Sequence, residues 1–171
     1  QAAFFTSLQG ENEIVIQVSN FNHRSGGILE SIILGSDRMI LDMRYKKIAY
    51  EFLLFGCLMI MGLYHIILFS FRTKNPSPLY FGLFCLFLGV RTLLVGERMF
   101  IYLFPNFSWE IAHKIQTMAF YLGLPAIVTF FMTVFPLIFR RRIVRIIQLI
   151  AATFSLLVLL APARIFTVFN P

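Results

Sequence analysis

The chain is poor in charge. Of 171 residues, 13% are Asp, Glu, Lys or Arg and 58% are hydrophobic, whereas a soluble domain carries about 25% charged residues. Too little polar surface remains to coat a soluble globule, which excludes that class. Only two cysteines occur, Cys57 and Cys85, both inside apolar runs. They exclude a disulfide framework and a zinc site, and each reads as a small packing residue. HExxH is absent and no His pair has metal-ligand spacing. There is no phosphate-binding glycine loop, nucleophile–base pair or set of paired carboxylates, so no enzyme chemistry, metal or cofactor is expected. The chain also lacks an initiator methionine and a basic-then-apolar leader. It is expected to be a piece of a longer protein.

What the sequence has in excess is apolar and aromatic, with twenty-one Phe and six Tyr, and basic, with a formal net charge of +7. Residues 1–47 hold five bases and five acids; residues 48–171 hold ten bases and three acids. The excess therefore belongs to the apolar part, where the bases flank apolar runs. A nucleic-acid binder would gather them on one solvated face. They read as topology signals, and no nucleic-acid partner is expected.

A spanning helix needs about 20 mainly apolar residues. Four runs qualify: 52–71, 75–96 (interrupted only by Arg91), 115–139 and 146–163, the last extended by Ile143 and Val144. Backbone groups in lipid must be satisfied within a segment, so each run is a helix. With their ends these predict helices at about 48–71, 77–96, 112–138 and 143–163, in a transmembrane domain over residues 48–171. Short connections predict a compact up-and-down bundle. Arg72, Lys74, Arg140, Arg141, Arg142 and Arg145 lie in the first and third connections without an acid. The positive-inside rule then puts those connections in the cytoplasm and the N-terminus outside. Arg44, Lys46 and Lys47 run against it, but a folded N-terminal domain can translocate despite its charges. Phe100, Tyr102, Phe104, Phe107 and Trp109 in the second connection read as an outer interfacial belt.

Ahead of the spans, residues 13–19 alternate Ile14, Ile16 and Val18 with Glu13, Gln17 and Ser19, the pattern of a half-buried strand. A turn-rich stretch, NFNHRSGG, precedes a second apolar run over 28–34. Two strands cannot bury a core, so residues 1–35 are expected to be the C-terminal part of an extracellular β-sandwich or jelly roll. Residues 36–47 form a juxtamembrane segment with a short helix over 39–47. The expected fold class is thus mainly α, a four-span polytopic helix bundle preceded by the last strands of a β-sandwich.

The order VSNFNHRSGG, ILESIILG, a basic juxtamembrane stretch and GCLMIMGLYHIILFSFRTKNPSPLYFGLFCLFLGVRTLLVGER resembles the bacterial seven-transmembrane receptors with diverse intracellular signalling modules. The likeness is carried by Gly56, Gly62, Leu63, Tyr64 and His65, by Leu79, Tyr80 and Phe81 opening the second span, and by Arg91 before Gly96. It covers nearly the whole chain. It implies a multi-pass protein of the bacterial inner membrane. An extracellular jelly roll would bind a carbohydrate or another small ligand. Seven helices would then lead to a cytoplasmic kinase, cyclase or phosphatase. This chain stops after four spans, so its further partners would be the remaining transmembrane helices and that output domain.

Among single residues, Arg91 is an ionisable group inside a span and a functional candidate by default. Glu51, at similar depth in the first span, is its candidate partner; the alternative is that Arg91 snorkels to the headgroups. Tyr64 and His65 are adjacent, pointing about 100° apart on a helix. His65 is a candidate proton-sensitive group, although a hydrogen bond across a helix interface is the commoner role. Gly56, Gly62, Gly82 and Gly89 allow close helix approach. Pro125, in the middle of the third span, frees a carbonyl and is a candidate helix hinge. The functional expectation is the membrane part of a signal-transducing receptor. The alternative is a transporter or channel subunit with Glu51, Arg91 and His65 lining a path, though a transporter should show broken helices at matching places in two halves.

Overall fold

The computed structural model describes residues 4–6, 9–11, 13–17, 31–96, 100, 104 and 106–161. Within them lie four helices: α1 (Asp37–Phe71), α2 (Ser77–Leu94), α3 (Trp109–Val134) and α4 (Arg141–Leu160). Each is long and apolar enough to cross a membrane.

Helix α1 follows Ser36, a favoured N-cap residue type, with Asp37 at the positive end of the helix dipole. It then continues for 35 residues. The expected juxtamembrane helix and first span are therefore a single rod of about 52 Å, against a hydrocarbon core of about 30 Å. The helix ends at Phe71. Asn75 then accepts the Ser77 N–H on its side-chain oxygen at 3.1 Å, and α2 opens with a proline in its first turn, where the missing N–H is harmless. Its far end runs into Gly96 at φ 72°, a conformation that glycine adopts without a Cβ penalty.

The ends of α3 differ from expectation. It starts at Trp109, three residues before the expected 112, so Trp109–Ile111 are helical and not connection. Trp109 stacks on His113 at 5.2 Å, and Lys114 pairs with Glu110 at 3.4 Å. At the other end α3 stops at Val134. Pro136 disfavours helical geometry at the residue before it, and Phe135 sits at φ −123°, ψ 65°. Helix α4 begins at Arg141, so Arg141, Arg142 and Arg145 belong to its first turns. It ends ahead of Pro162, with Ala161 extended at ψ 145°.

The helices pack in chain order, α1 on α2, α2 on α3 and α3 on α4. Among the described residues α1 and α4 share no substantial seam, so the expected compact bundle is an open row. The seams are lined by small side chains: Ala112, Ala119, Gly123 and Ala126 on α3, Ala151 and Ser155 on α4. Lipid offers no hydrophobic drive for helices to associate, and close backbone approach supplies dispersion instead. Many large apolar side chains point outward, among them Ile60 and Leu149 at 72% and 68% exposure. In lipid that is their favourable environment.

No strand occurs among the described residues. Residues 13–17 carry no regular secondary structure, and Val15 is 80% exposed. A strand needs a ladder partner, which the described residues do not supply. Of the second expected strand, residues 31–34 likewise carry no regular secondary structure, with Leu34 72% exposed, while residues 28–30 and the turn-rich stretch before them lie outside the described residues. So do Tyr102 of the aromatic belt and residues 162–163 of the fourth span.

Candidate functional site

Two backbones approach closely where α1 crosses α2. A Cβ added to Gly82 would sit 2.9 Å from the Gly62 carbonyl oxygen and 3.0 Å from Ile66 Cγ1. One added to Gly62 would sit 2.7 Å from Leu86 Cδ2 and 3.1 Å from the Gly82 carbonyl. Both glycines are buried. Gly89 has only ordinary contacts, from 3.5 Å outward, and Gly56 has nothing within 4 Å. Of the four glycines expected to bring helices together, Gly62 and Gly82 thus do so most tightly.

His65 flanks this crossing, with its Cβ 3.3 Å from where a Gly82 Cβ would be. Its Nδ1 lies 2.8 Å from the Met61 carbonyl, so Nδ1–H donates along its own helix. The expected bond across the interface is replaced by this local one and by ring contacts. His65 packs edge-on to Phe81 of α2 at 4.7 Å, with Tyr64 on its other side at 5.2 Å. Phe81 in turn meets Phe130 of α3 at 5.1 Å. Phe130 adjoins Phe131, which stacks on Phe139 in the turn before α4. A file of rings therefore runs across three helices at the glycine crossing, toward the end that carries the arginines. Aromatic pairs in these tilted and edge-on geometries each contribute about 0.5–1.5 kcal/mol beyond their area.

Toward the opposite end, Glu51 and Arg91 are not brought together: among the described residues no ion pair joins them. The Glu51 carboxylate packs against Gly96, and a Cβ there would fall 2.8 Å from Glu51 Cδ. Arg91 lies with its guanidinium carbon 4.9 Å from the centre of the Phe120 ring on α3. A cation over a ring gains about 0.5–1 kcal/mol when exposed and about 2 when desolvated. Arg91 is thus held across the α2–α3 seam by an aromatic face.

Helix α3 passes through Pro125 without interruption. Proline has no N–H to offer the Tyr121 carbonyl. One turn on, Thr129 donates its hydroxyl to the Pro125 carbonyl at 2.6 Å, and the Gln148 amide of α4 donates to the same hydroxyl at 2.9 Å. This relay ties the proline turn to α4. Sequence reading passed over it, although Gln148 is a long polar side chain inside an apolar run. That feature signals an interhelical bond, because an amide in lipid needs a partner.

Among the described residues no cluster of His, Cys, Asp or Glu could hold a metal ion. What the arrangement can do is mechanical, linking α1 to α2 through a backbone contact and α2 to α3 through rings and Arg91.

The family described as 7TM diverse intracellular signalling matches residues 47–171, a stretch that holds the ring file, the glycine crossing and all four apolar runs. No curated protein and no solved structure matches the chain.

Proposed function

The chain belongs to the 7TM diverse intracellular signalling family, and from that premise we propose that it is the membrane core through which an extracellular ligand drives a cytoplasmic output domain. The ligand in this reading is a carbohydrate or another small molecule, bound by a domain that residues 1–35 close. The protein sits in a bacterial inner membrane with its N-terminus outside and its arginine-rich end in the cytoplasm. Catalysis belongs to the output domain and not to this chain.

The observation that carries the coupling is the unbroken run of α1 from Asp37 to Phe71. About 20 Å of it lies ahead of the apolar run, at 1.5 Å per residue. A displacement of the segment before Asp37 has no flexible joint in which to dissipate before it reaches Gly62 and His65. The crossing then passes it to α2, and the Phe81–Phe130 contact to α3. Packed seams of this kind shift between discrete arrangements and do not deform smoothly.

The test is made in the receptor-length protein, with product formation by its output enzyme as readout while a panel of oligosaccharides is added. Two glycines inserted between Lys47 and Ile48 should break the rod, leave membrane insertion intact and abolish the ligand response. A response of undiminished size would remove α1 from the coupling path. Solute flux through the protein in the absence of any output enzyme would replace the receptor reading with a transporter.

A further inference from the structure

At the arginine-rich end, α3 and α4 diverge around a cleft of about 430 Å³, within the roughly 300–1,000 Å³ typical of small-molecule sites. Its lining includes Thr133 and Pro136 from the α3 side and Arg141, Arg145 and Gln148 from α4. Residues 141, 145 and 148 share one face of α4, at i, i+4 and i+7 spacing, with Val144, which is only 1% exposed. Two guanidinium groups therefore continue the seam on which α4 packs against α3. Arg140 and Arg142 do not line the cleft.

Neither the Arg141 nor the Arg145 side chain has a hydrogen bond, an ion pair or a ring contact among the described residues. The chain has no Asp or Glu beyond Glu110. The acids on the helices, Asp37, Asp42, Glu51 and Glu110, all lie toward the opposite ends of those helices. Neither guanidinium is paired with a carboxylate among the described residues. Guanidinium is a planar fork of donors that matches a phosphate, two bonds at a time. The cleft lies at the C-terminal end of α3 and the N-terminal end of α4, two helices of spanning length, and in the topology proposed above that end would stand near the lipid phosphates. The Gln148 amide, with one N–H on Thr129, has a second to offer.

We propose that this cleft binds the headgroup of an acidic phospholipid, its phosphate held between Arg141 and Arg145 with Gln148 beside them. The bound lipid neutralises the α3–α4 seam next to the Thr129–Gln148 relay, so the proline turn of α3 and the charge of the surrounding leaflet are linked.

Native mass spectrometry of the full chain, released from mixed phosphatidylglycerol–phosphatidylcholine micelles, reads the binding directly. The wild type should retain phosphatidylglycerol in preference to phosphatidylcholine. Arg141→Gln/Arg145→Gln should lose that preference by at least about tenfold more than Arg140→Gln/Arg142→Gln, which removes the same charge outside the cleft. Equal loss in the two doubles would mean diffuse attraction to the surface and would overturn the site. Gln148→Glu supplies a carboxylate inside the cleft and guards against a double variant that fails to fold. It should displace the lipid while circular dichroism shows unchanged helix content, and retention as in the wild type would overturn the proposal. Inorganic phosphate should not displace phosphatidylglycerol at equal concentration. Full displacement would assign the cleft to a free anion and overturn the lipid as its source.

Discussion

Substituting Gly82 by Ala tests the α1–α2 crossing most directly. The new methyl group would lie 2.9 Å from the Gly62 carbonyl oxygen, 3.0 Å from Ile66 Cγ1 and 3.3 Å from His65 Cβ, where ordinary contact starts at 3.4 Å. The first of these neighbours is backbone and cannot rotate away, so the helices must part locally by about 0.5 Å. A gap of that size forfeits about a quarter of each dispersion contact along the seam. Overpacking of this kind costs about 1–3 kcal/mol, offset by up to about 1 kcal/mol of helix propensity gained from Ala. The net expectation is a loss of about 1–2 kcal/mol. Gly56→Ala, with nothing within 4 Å of its added Cβ, should show the propensity gain alone. Gly62→Ala should fall between them, since its nearest obstacle is the movable end of Leu86. The assay is reversible unfolding in mixed micelles titrated with a denaturing detergent and followed by far-ultraviolet circular dichroism. Gly82→Ala as stable as Gly56→Ala would refute the reasoning, because the two glycines would then be energetically alike.

Further outcomes follow from other contacts. Double-mutant cycles should give a coupling of about 0.5–2 kcal/mol for Arg91→Gln with Phe120→Leu, and near zero for Arg91→Gln with Glu51→Gln; the reverse order would restore the ion pair as the anchor of Arg91. Ser155 buries its hydroxyl on α4 with no hydrogen-bond partner among the described residues. Ser155→Ala should therefore be neutral or raise the melting temperature, since about 1–3 kcal/mol of desolvation is relieved; a clear drop would reveal a hidden partner. Breaking the relay by Thr129→Val leaves the Gln148 amide short of an acceptor and should destabilise by about 0.6–1.7 kcal/mol, whereas Thr133→Val, whose hydroxyl bonds only within its own helix, should cost less. For orientation, single cysteines at Lys74 and Asn106, in a background without Cys57 and Cys85, should differ toward an impermeant thiol reagent in intact cells. Asn106→Cys should label and Lys74→Cys should not, and the opposite pattern would invert the topology.

The four spans were legible because the cost of placing a residue in lipid adds up along a run, with little regard for neighbours in space. The expected helices 112–138 and 143–163 ran through Pro136 and Pro162, whereas α3 and α4 stop before these prolines, because proline disfavours helical geometry at the residue before it; hydropathy marked the spans but not those ends. The start of α3 was placed three residues late because Trp109 and Glu110 mix aromatic and charged character, which describes a membrane interface equally well as helix or as loop. Residues 39–47 and 52–71 look like two elements by composition, yet nothing between Lys47 and Phe52 breaks a helix, and α1 is continuous.

Partnerships were another matter. Gly56 and Gly82 look alike as small residues in apolar runs, and Glu51 and Arg91 look like a pair at matching depth. Which residues meet depends on how each helix is rotated about its axis, and a shift of one position turns a side chain by about 100°. Thr129 and Gln148, 19 residues apart, are joined only because α3 and α4 present those particular faces to each other. The sequence alone therefore determined that this is a chain of membrane-spanning helices, because hydropathy acts one residue at a time. Only the tertiary structure decided that the described helices form an open row, that Gly62 meets Gly82, that Arg91 rests on Phe120, and that two arginines line a cleft without a counter-charge among the described residues. Those are properties of pairs in space, set by helix rotation and close packing, which no single run of residues encodes.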